Sequence, residues 1–217
     1  MKKAAQWIET VFDAAYLLFA AGASFYFFAT ADSNVNRQLY GAMPAVLALG
    51  DGCHLVPRVL SFFMPASSRI VRARALGKCA ASVTMTLFYM VLAYTLIGYY
   101  HLSVSPFVIA AIWVLGILRI VLSIYPLRQW THPDGGFAYP LLRNIPFILL
   151  GILTAAFSLQ SGSGIASPLA FMWLAILLSF AFYIPVVFYA EKRPYLGMLM
   201  LPKTVMYVWI ICMGMRL

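Results

Sequence analysis

One apolar segment of the sequence, LALGDGCHLVPRVL over residues 47–60, contains an acid, an imidazole and a guanidinium. These are the side chains of Asp51, His54 and Arg58. Spacings of three and seven residues place all of them on one face of a helix. A carboxylate beside an imidazole is suited to general acid–base chemistry, and a guanidinium is suited to binding an oxyanion. These three residues are therefore the first candidates for a functional site.

The segment lies in a chain whose composition is that of an integral membrane protein. Of its 217 residues, 64% are hydrophobic and only 10% are charged, whereas a soluble domain has about a quarter charged residues. Apolar runs of about 20 residues indicate transmembrane helices and not a barrel. The net charge of +9 then reflects membrane topology, and we expect no nucleic-acid partner.

Seven apolar runs predict one all-α domain over residues 1–217, a polytopic membrane bundle of about seven transmembrane helices, with eight possible. The first run resembles a signal peptide, but Glu9, Asp13 and its length favour a retained helix. The short connection EKRP predicts that the last two spans form a hairpin. The predicted spans are residues 11–30, 39–63, 79–100, 105–126, 138–159, 166–190 and 195–215.

Basic residues predict the orientation of the bundle. Most of them fall on one side of the predicted spans, so we expect that side, and with it the N-terminus, to be cytoplasmic. The expected location is a cell membrane, in particular a bacterial inner membrane. The basic residues on the cytoplasmic side are Lys2, Lys3, Arg69, Arg72, Arg74, Lys78, Arg128, Lys192 and Arg193, against Arg37 and Arg216 on the other.

Polar residues inside the other spans extend the candidate site. Ionisable groups at membrane depth are costly, and they usually face the bundle interior, where they pair or perform a function. If the basic residues converge around Asp51, they form a cytoplasm-facing cavity with net positive charge. Such a cavity would suit the anionic or zwitterionic headgroup of a membrane lipid or another amphiphilic small molecule. With Asp51 and His54 as catalytic groups, the expected binding residues are Arg58, Tyr89, Arg119, Arg143, Asn144, Lys203 and Tyr207.

Structural interpretations of the same residues stay open. The arginines could extend to the lipid headgroups, and Asp51 with Lys203 could form a purely structural ion pair. Asp13 is interpreted as an interfacial charge, and Tyr89 individually as a hydrogen bond between packed helices. Gly50 and Gly52, which flank the aspartate, would let a neighbouring helix approach closely.

The three cysteines predict no metal chemistry. Cys53, Cys79 and Cys212 lie in or at apolar segments, and no Cys/His pair has a metal-binding spacing. We therefore expect free thiols, no metal site of that kind and no cofactor.

The segment LALGDGCHLVPRV resembles the LLGDxxLLLP segment of the YhhN-like lysoplasmalogenase family of small polytopic membrane enzymes. ALGKCAASVTMTLFY and AILLSFAFYIPVVF occupy places similar to two later helices of that family. The resemblance implies that Asp51, with Gly50 beside it, takes the role of the family's aspartate. It also implies cleavage of the vinyl-ether bond of a lysoplasmalogen. The family's second aspartate falls at Phe180, so the second group would be His54 or a water.

Three functions therefore follow from the sequence. The first is a membrane-embedded hydrolase of a lysophospholipid-like or ether-lipid amphiphile. The second is a transporter or binding protein for a small anionic solute or lipid, although no inverted repeat is visible. The third is a structural membrane protein in which the charges merely pair.

Overall fold

The structure is a computed structural model that describes residues 2–64, 67–125, 130, 138–160, 167–189 and 193–216. In these ranges the regular elements are all helical, and a 3₁₀ helix, Pro194–Leu199, leads into the last of them. The α-helices are α1 (Lys2–Ala29), α2 (Val35–Phe63), α3 (Ser68–Tyr99), α4 (Pro106–Ile124), α5 (Ala138–Gln160), α6 (Met172–Tyr189) and α7 (Met200–Gly214).

Seven helical stretches within the described ranges are long and apolar enough to cross a membrane. The chain is therefore an all-α, multi-pass membrane protein, which confirms the fold class predicted from composition. The last stretch, Tyr195–Gly214, includes most of the 3₁₀ helix together with α7. Helices α6 and α7 pack against each other, as the short connection between them predicts.

The predicted start of the third span was wrong. Helix α3 begins at Ser68 and not at residue 79, so Arg69, Arg72 and Arg74 are helical and not part of a loop. The Ser67 side chain caps the helix by accepting a hydrogen bond from the Arg69 backbone N–H. Arginine, alanine and lysine favour helix, which extends α3 beyond its apolar part. Its 32 residues span about 48 Å, longer than a hydrocarbon core of about 30 Å.

The helices form a closed ring in which α3 is one member. Each helix from α1 to α6 packs against the next one in sequence, and α7 packs back against α1 and α2. Helix α3 also contacts α4 and α5, and more than half of the residues in its most apolar part are buried. The ring therefore places the first and last helices beside one another.

Two glycines allow α2 and α3 to approach closely. A Cβ atom on Gly50 would lie 1.7 Å from Thr84 Oγ1, and one on Gly77 would lie 2.1 Å from the backbone oxygen of Cys53. The second contact is with the backbone, so no side-chain rotation can relieve it. Gly52 has nothing within 4 Å of its Cβ position. The expectation of a close helix contact at Gly52 was therefore wrong, because this residue lies on the other face of α2.

We predict that Gly77→Ala destabilises the protein whereas Gly52→Ala does not. The added methyl group at residue 77 must push α3 away from α2, and such overpacking costs about 1–3 kcal/mol. At residue 52 the methyl group enters open space, and alanine favours helix over glycine. Thermal unfolding of both variants in detergent measures the difference. Equal melting temperatures would contradict the close contact between α2 and α3.

Candidate functional site

A cavity of about 400 Å³ opens at the end of the bundle where α2 and α6 end and α5 and α7 begin. This size lies within the range of about 300–1,000 Å³ that is usual for small-molecule sites. Among the described residues, five basic and three acidic side chains line it, together with His54 and several tyrosines. The charged lining residues are Glu9, Asp13, Asp51, Arg58, Lys78, Arg119, Arg143 and Lys203.

Helices α1 and α2 supply the carboxylates. The Tyr16 hydroxyl donates a 2.7 Å hydrogen bond to Asp51 Oδ2. Asp13 lies three residues before Tyr16 on the same face of α1, is 5% exposed, and has no hydrogen-bond partner on Oδ2 among the described residues. Asp13 and Asp51 both line the cavity, from helices that pack against each other. The cavity therefore contains two carboxyl groups, one on α1 and one on α2.

Asp13 belongs to the cavity lining although it was not among the predicted site residues. Its position near the membrane boundary favoured an interfacial charge, but the structure buries the side chain beside the cavity. The helical spacing of Asp13 and Tyr16 was visible in the sequence. What the sequence did not show is that this face of α1 packs against the Asp51 face of α2.

His54 lines the cavity one helical turn from Asp51, but no hydrogen bond joins these two described residues. Its Nδ1 atom is buried and unpartnered within the described part of the chain. The charges nearest to the imidazole are those of basic residues: Lys78, Arg58, Arg74 and Lys203. The hydrogen bond that Asp51 accepts comes from Tyr16 and not from His54.

Arg58 pairs with an acid of the first helix. Its guanidinium lies 2.8 Å from Glu9 Oε2, and the two side chains are 25% and 21% exposed. Arg58 therefore faces an acidic partner at the edge of the cavity, and not only the lipid headgroups.

Arg119 is the most deeply buried cation of the lining, with 1% of its surface exposed. Its guanidinium donates a 2.7 Å hydrogen bond to the backbone oxygen of Arg143 and contacts the Tyr183 hydroxyl at 3.5 Å. That hydroxyl in turn donates to Asn144 Oδ1 at 2.8 Å. The ring of Phe147 lies 5.1 Å from the guanidinium. The network therefore fixes Arg119 with neutral partners and aromatic contact.

Lys203 and Arg143 are likewise held against aromatic rings. Lys203 Nζ lies 4.4 Å from the ring centre of Tyr183 and 5.2 Å from that of Tyr207. The Arg143 guanidinium lies 3.9 Å from the ring centre of Trp130. Within the described ranges, no ion pair within 4.0 Å joins Lys203 to Asp51. The structural pair considered for these two residues is therefore not present.

Seven of the nine candidate residues line one cavity, and two lie behind its wall. Asn144 is 1% exposed and supports Tyr183. Tyr89 is fully buried, and its hydroxyl shares a 2.9 Å hydrogen bond with Ser179. Its ring packs against Phe147 and Phe180. Both residues shape the cavity from outside its lining.

The three cysteines are free thiols, with Cys79 buried and the other two exposed. Comparison of the chain with protein-family models, curated proteins and solved structures found no match. What the site does must therefore be inferred from its own chemistry.

We predict that Tyr16→Phe lowers the free energy of unfolding by about 1–3 kcal/mol, because Asp51 loses its hydrogen-bond donor. Tyr26→Phe is the matched control, since Tyr26 lies on the same helix and is 44% exposed. Thermal unfolding in detergent measures both. An unchanged melting temperature for Tyr16→Phe would show that the Asp51 contact contributes no stability.

Proposed function

We propose that the protein is a membrane-embedded hydrolase of a lysophospholipid-like or ether-lipid amphiphile, located in the bacterial inner membrane. The observation that carries this proposal is the pair of carboxyl groups, Asp13 and Asp51, in a cavity that basic residues also line. An acid–base pair supplies the chemistry, and the cations supply binding for a charged headgroup. The excess of basic residues around this end supports a cytoplasmic opening.

Two carboxyl groups in one largely buried cavity favour a state in which one holds a proton and the other is ionised. The protonated group can act as general acid, and the ionised group can act as general base towards a water molecule. The Tyr16 hydroxyl donates to Asp51 and so favours its ionised form, whereas Asp13 Oδ2 has no donor among the described residues. We therefore assign Asp13 as the acid and Asp51 as the base. Asp13 takes the place predicted for His54, because basic residues lie around the imidazole.

A vinyl ether is a bond that this chemistry can cleave. Transfer of a proton to the alkene carbon produces an oxocarbenium ion, and water adds to it with loss of a proton to the base. The resulting hemiacetal collapses to an aldehyde and an alcohol, so one water is consumed and no redox partner is needed. The resemblance of the GD segment to the YhhN-like lysoplasmalogenase family supports the same reaction.

The core beneath the cavity supports an enzyme over a transporter. Phe88, Tyr89 and Phe147 are no more than 1% exposed and pack edge to face in the bundle interior. Further from the charged end, Leu92 and Leu96 on α3 are fully buried. A continuous polar path would have to cross this aromatic and aliphatic layer. The cavity therefore has access from one end, as a hydrolase acting on a membrane lipid requires.

We predict that Asp51→Asn lowers hydrolysis by about 100-fold or more while leaving the fold intact. Asparagine cannot take up the proton, but its Oδ1 atom still accepts the Tyr16 hydrogen bond. The assay uses purified protein with 1-alkenyl, 1-alkyl and 1-acyl lysophospholipids, and it measures released aldehyde and fatty acid. Asp13→Asn is expected to lower the same rate.

Asp32→Asn is the control for both variants. Asp32 is exposed in the α1–α2 connection with a φ of 44°, a conformation that asparagine adopts readily. It should retain the full rate. The proposal fails if wild-type protein converts none of the lipids, or if Asp51→Asn turns them over as fast as wild type. Uptake of an unchanged anion into proteoliposomes would favour the transporter.

A further inference from the structure

Three basic residues of the cavity have no acidic partner among the described residues. Arg119, Arg143 and Lys203 come from α4, α5 and α7, whereas the carboxylates come from α1 and α2. Within the described part of the chain, no carboxylate lies within 4.0 Å of any of the three. Among the described lining residues, basic side chains are therefore concentrated on α4, α5 and α7 and the carboxyl groups on α1 and α2.

The same three residues have hydrogen-bond donors without acceptors among the described residues. Lys203 is 8% exposed, and its ammonium group, with three donors, has no acceptor among the described residues. The Nε atoms of Arg119 and Arg143 are buried and also unpartnered there. Buried donors without acceptors are costly, and contact with aromatic rings offsets only part of that cost. An acceptor from outside the protein would complete all three.

We propose that Arg119, Arg143 and Lys203 form a subsite for a phosphate group. Guanidinium groups present N–H donors in a planar fork that matches the oxygens of a phosphate, and the ammonium adds a point charge. A phosphate offers enough oxygen atoms to accept from all three side chains. A monatomic anion does not match the planar fork, and it would fill only a small part of a 400 Å³ cavity.

The charge balance of the cavity narrows the headgroup class. With one of the two aspartates protonated, as the proposed mechanism requires, the two remaining carboxylates leave three of the five lining cations in excess. A phosphate monoester carries a charge of about −1.5 to −2 at neutral pH, which balances most of this excess. A zwitterionic phosphodiester carries no net charge. If the cavity binds the substrate of the proposed hydrolase, that substrate is a phosphomonoester amphiphile. This assignment of the substrate rests on the proposed function.

Binding is measured by isothermal titration calorimetry of the detergent-purified protein, with thermal unfolding in parallel. The probes are sodium phosphate, dodecyl phosphate and a lysophosphatidylethanolamine, each titrated at constant ionic strength set with sodium chloride. Arg143→Gln and Lys203→Gln remove single charges from the subsite. Arg37→Gln is the matched control, because Arg37 contacts the rings of Tyr26 and Phe27 outside the cavity lining.

We expect saturable binding of dodecyl phosphate that is about tenfold weaker or more in Arg143→Gln and Lys203→Gln, and unchanged in Arg37→Gln. Equal stabilisation by sodium phosphate would support the subsite with free phosphate as the ligand. Binding of dodecyl phosphate alone would support it with a lipid headgroup as the ligand. Tighter binding of the zwitterion would overturn the monoester assignment.

The subsite proposal would be overturned if neither sodium phosphate nor dodecyl phosphate binds saturably. It would also be overturned if chloride competes with phosphate as well as an equal concentration of phosphate does. If one variant does not fold, the other still tests it. The readout needs no turnover, so the result does not depend on whether the bound amphiphile is hydrolysed. Binding without hydrolysis of any lipid would sink the proposed function while leaving the subsite in place.

Discussion

The cost of placing charged side chains inside a membrane bundle is the constraint on which the structure depends. A charge at membrane depth must find a partner, reach water or be removed. The charged side chains of this protein are satisfied in different ways. Arg58 forms an ion pair with Glu9, Asp51 accepts a hydrogen bond from Tyr16, and Arg119 donates to a backbone oxygen. Lys203 has no ion-pair partner within 4.0 Å among the described residues. The cavity is where the incompletely satisfied groups meet, and that incompleteness is what makes it a candidate site.

Close packing of α2 on α3 fixes the position of Asp51. Gly50, directly before the aspartate, faces Thr84 at a distance that leaves no room for a side chain. Asp51 is the next residue, so its side chain points to a different side of α2, towards α1. There it accepts a hydrogen bond from Tyr16. A helix face that packs this tightly cannot rotate without collision. The small residue beside the acid therefore orients it, which connects the GD pair of the sequence to the geometry of the cavity.

The sequence predicts those features that depend on one helix at a time. The seven spans follow from apolar run length, and the shared face of Asp51, His54 and Arg58 follows from helical periodicity. Contacts between helices do not follow from periodicity. Asp13 was missed because its significance depends on which face of α1 meets α2. The hydrogen bond from Tyr16 to Asp51 could not be predicted for a related reason, since the tyrosine lies on another helix.

Tyr207 shows how the cavity depends on the rest of the bundle. Its ring lies 5.2 Å from Lys203 Nζ on one side and 5.5 Å from the ring centre of Phe88 on the other. Phe88 in turn packs against the ring of Tyr89, whose hydroxyl shares a hydrogen bond with Ser179 of α6. One side chain of α7 thus joins a basic lining residue to the cores of α3 and α6. A change in core packing at Phe88 would therefore move the ammonium group, although Phe88 itself lies outside the cavity lining.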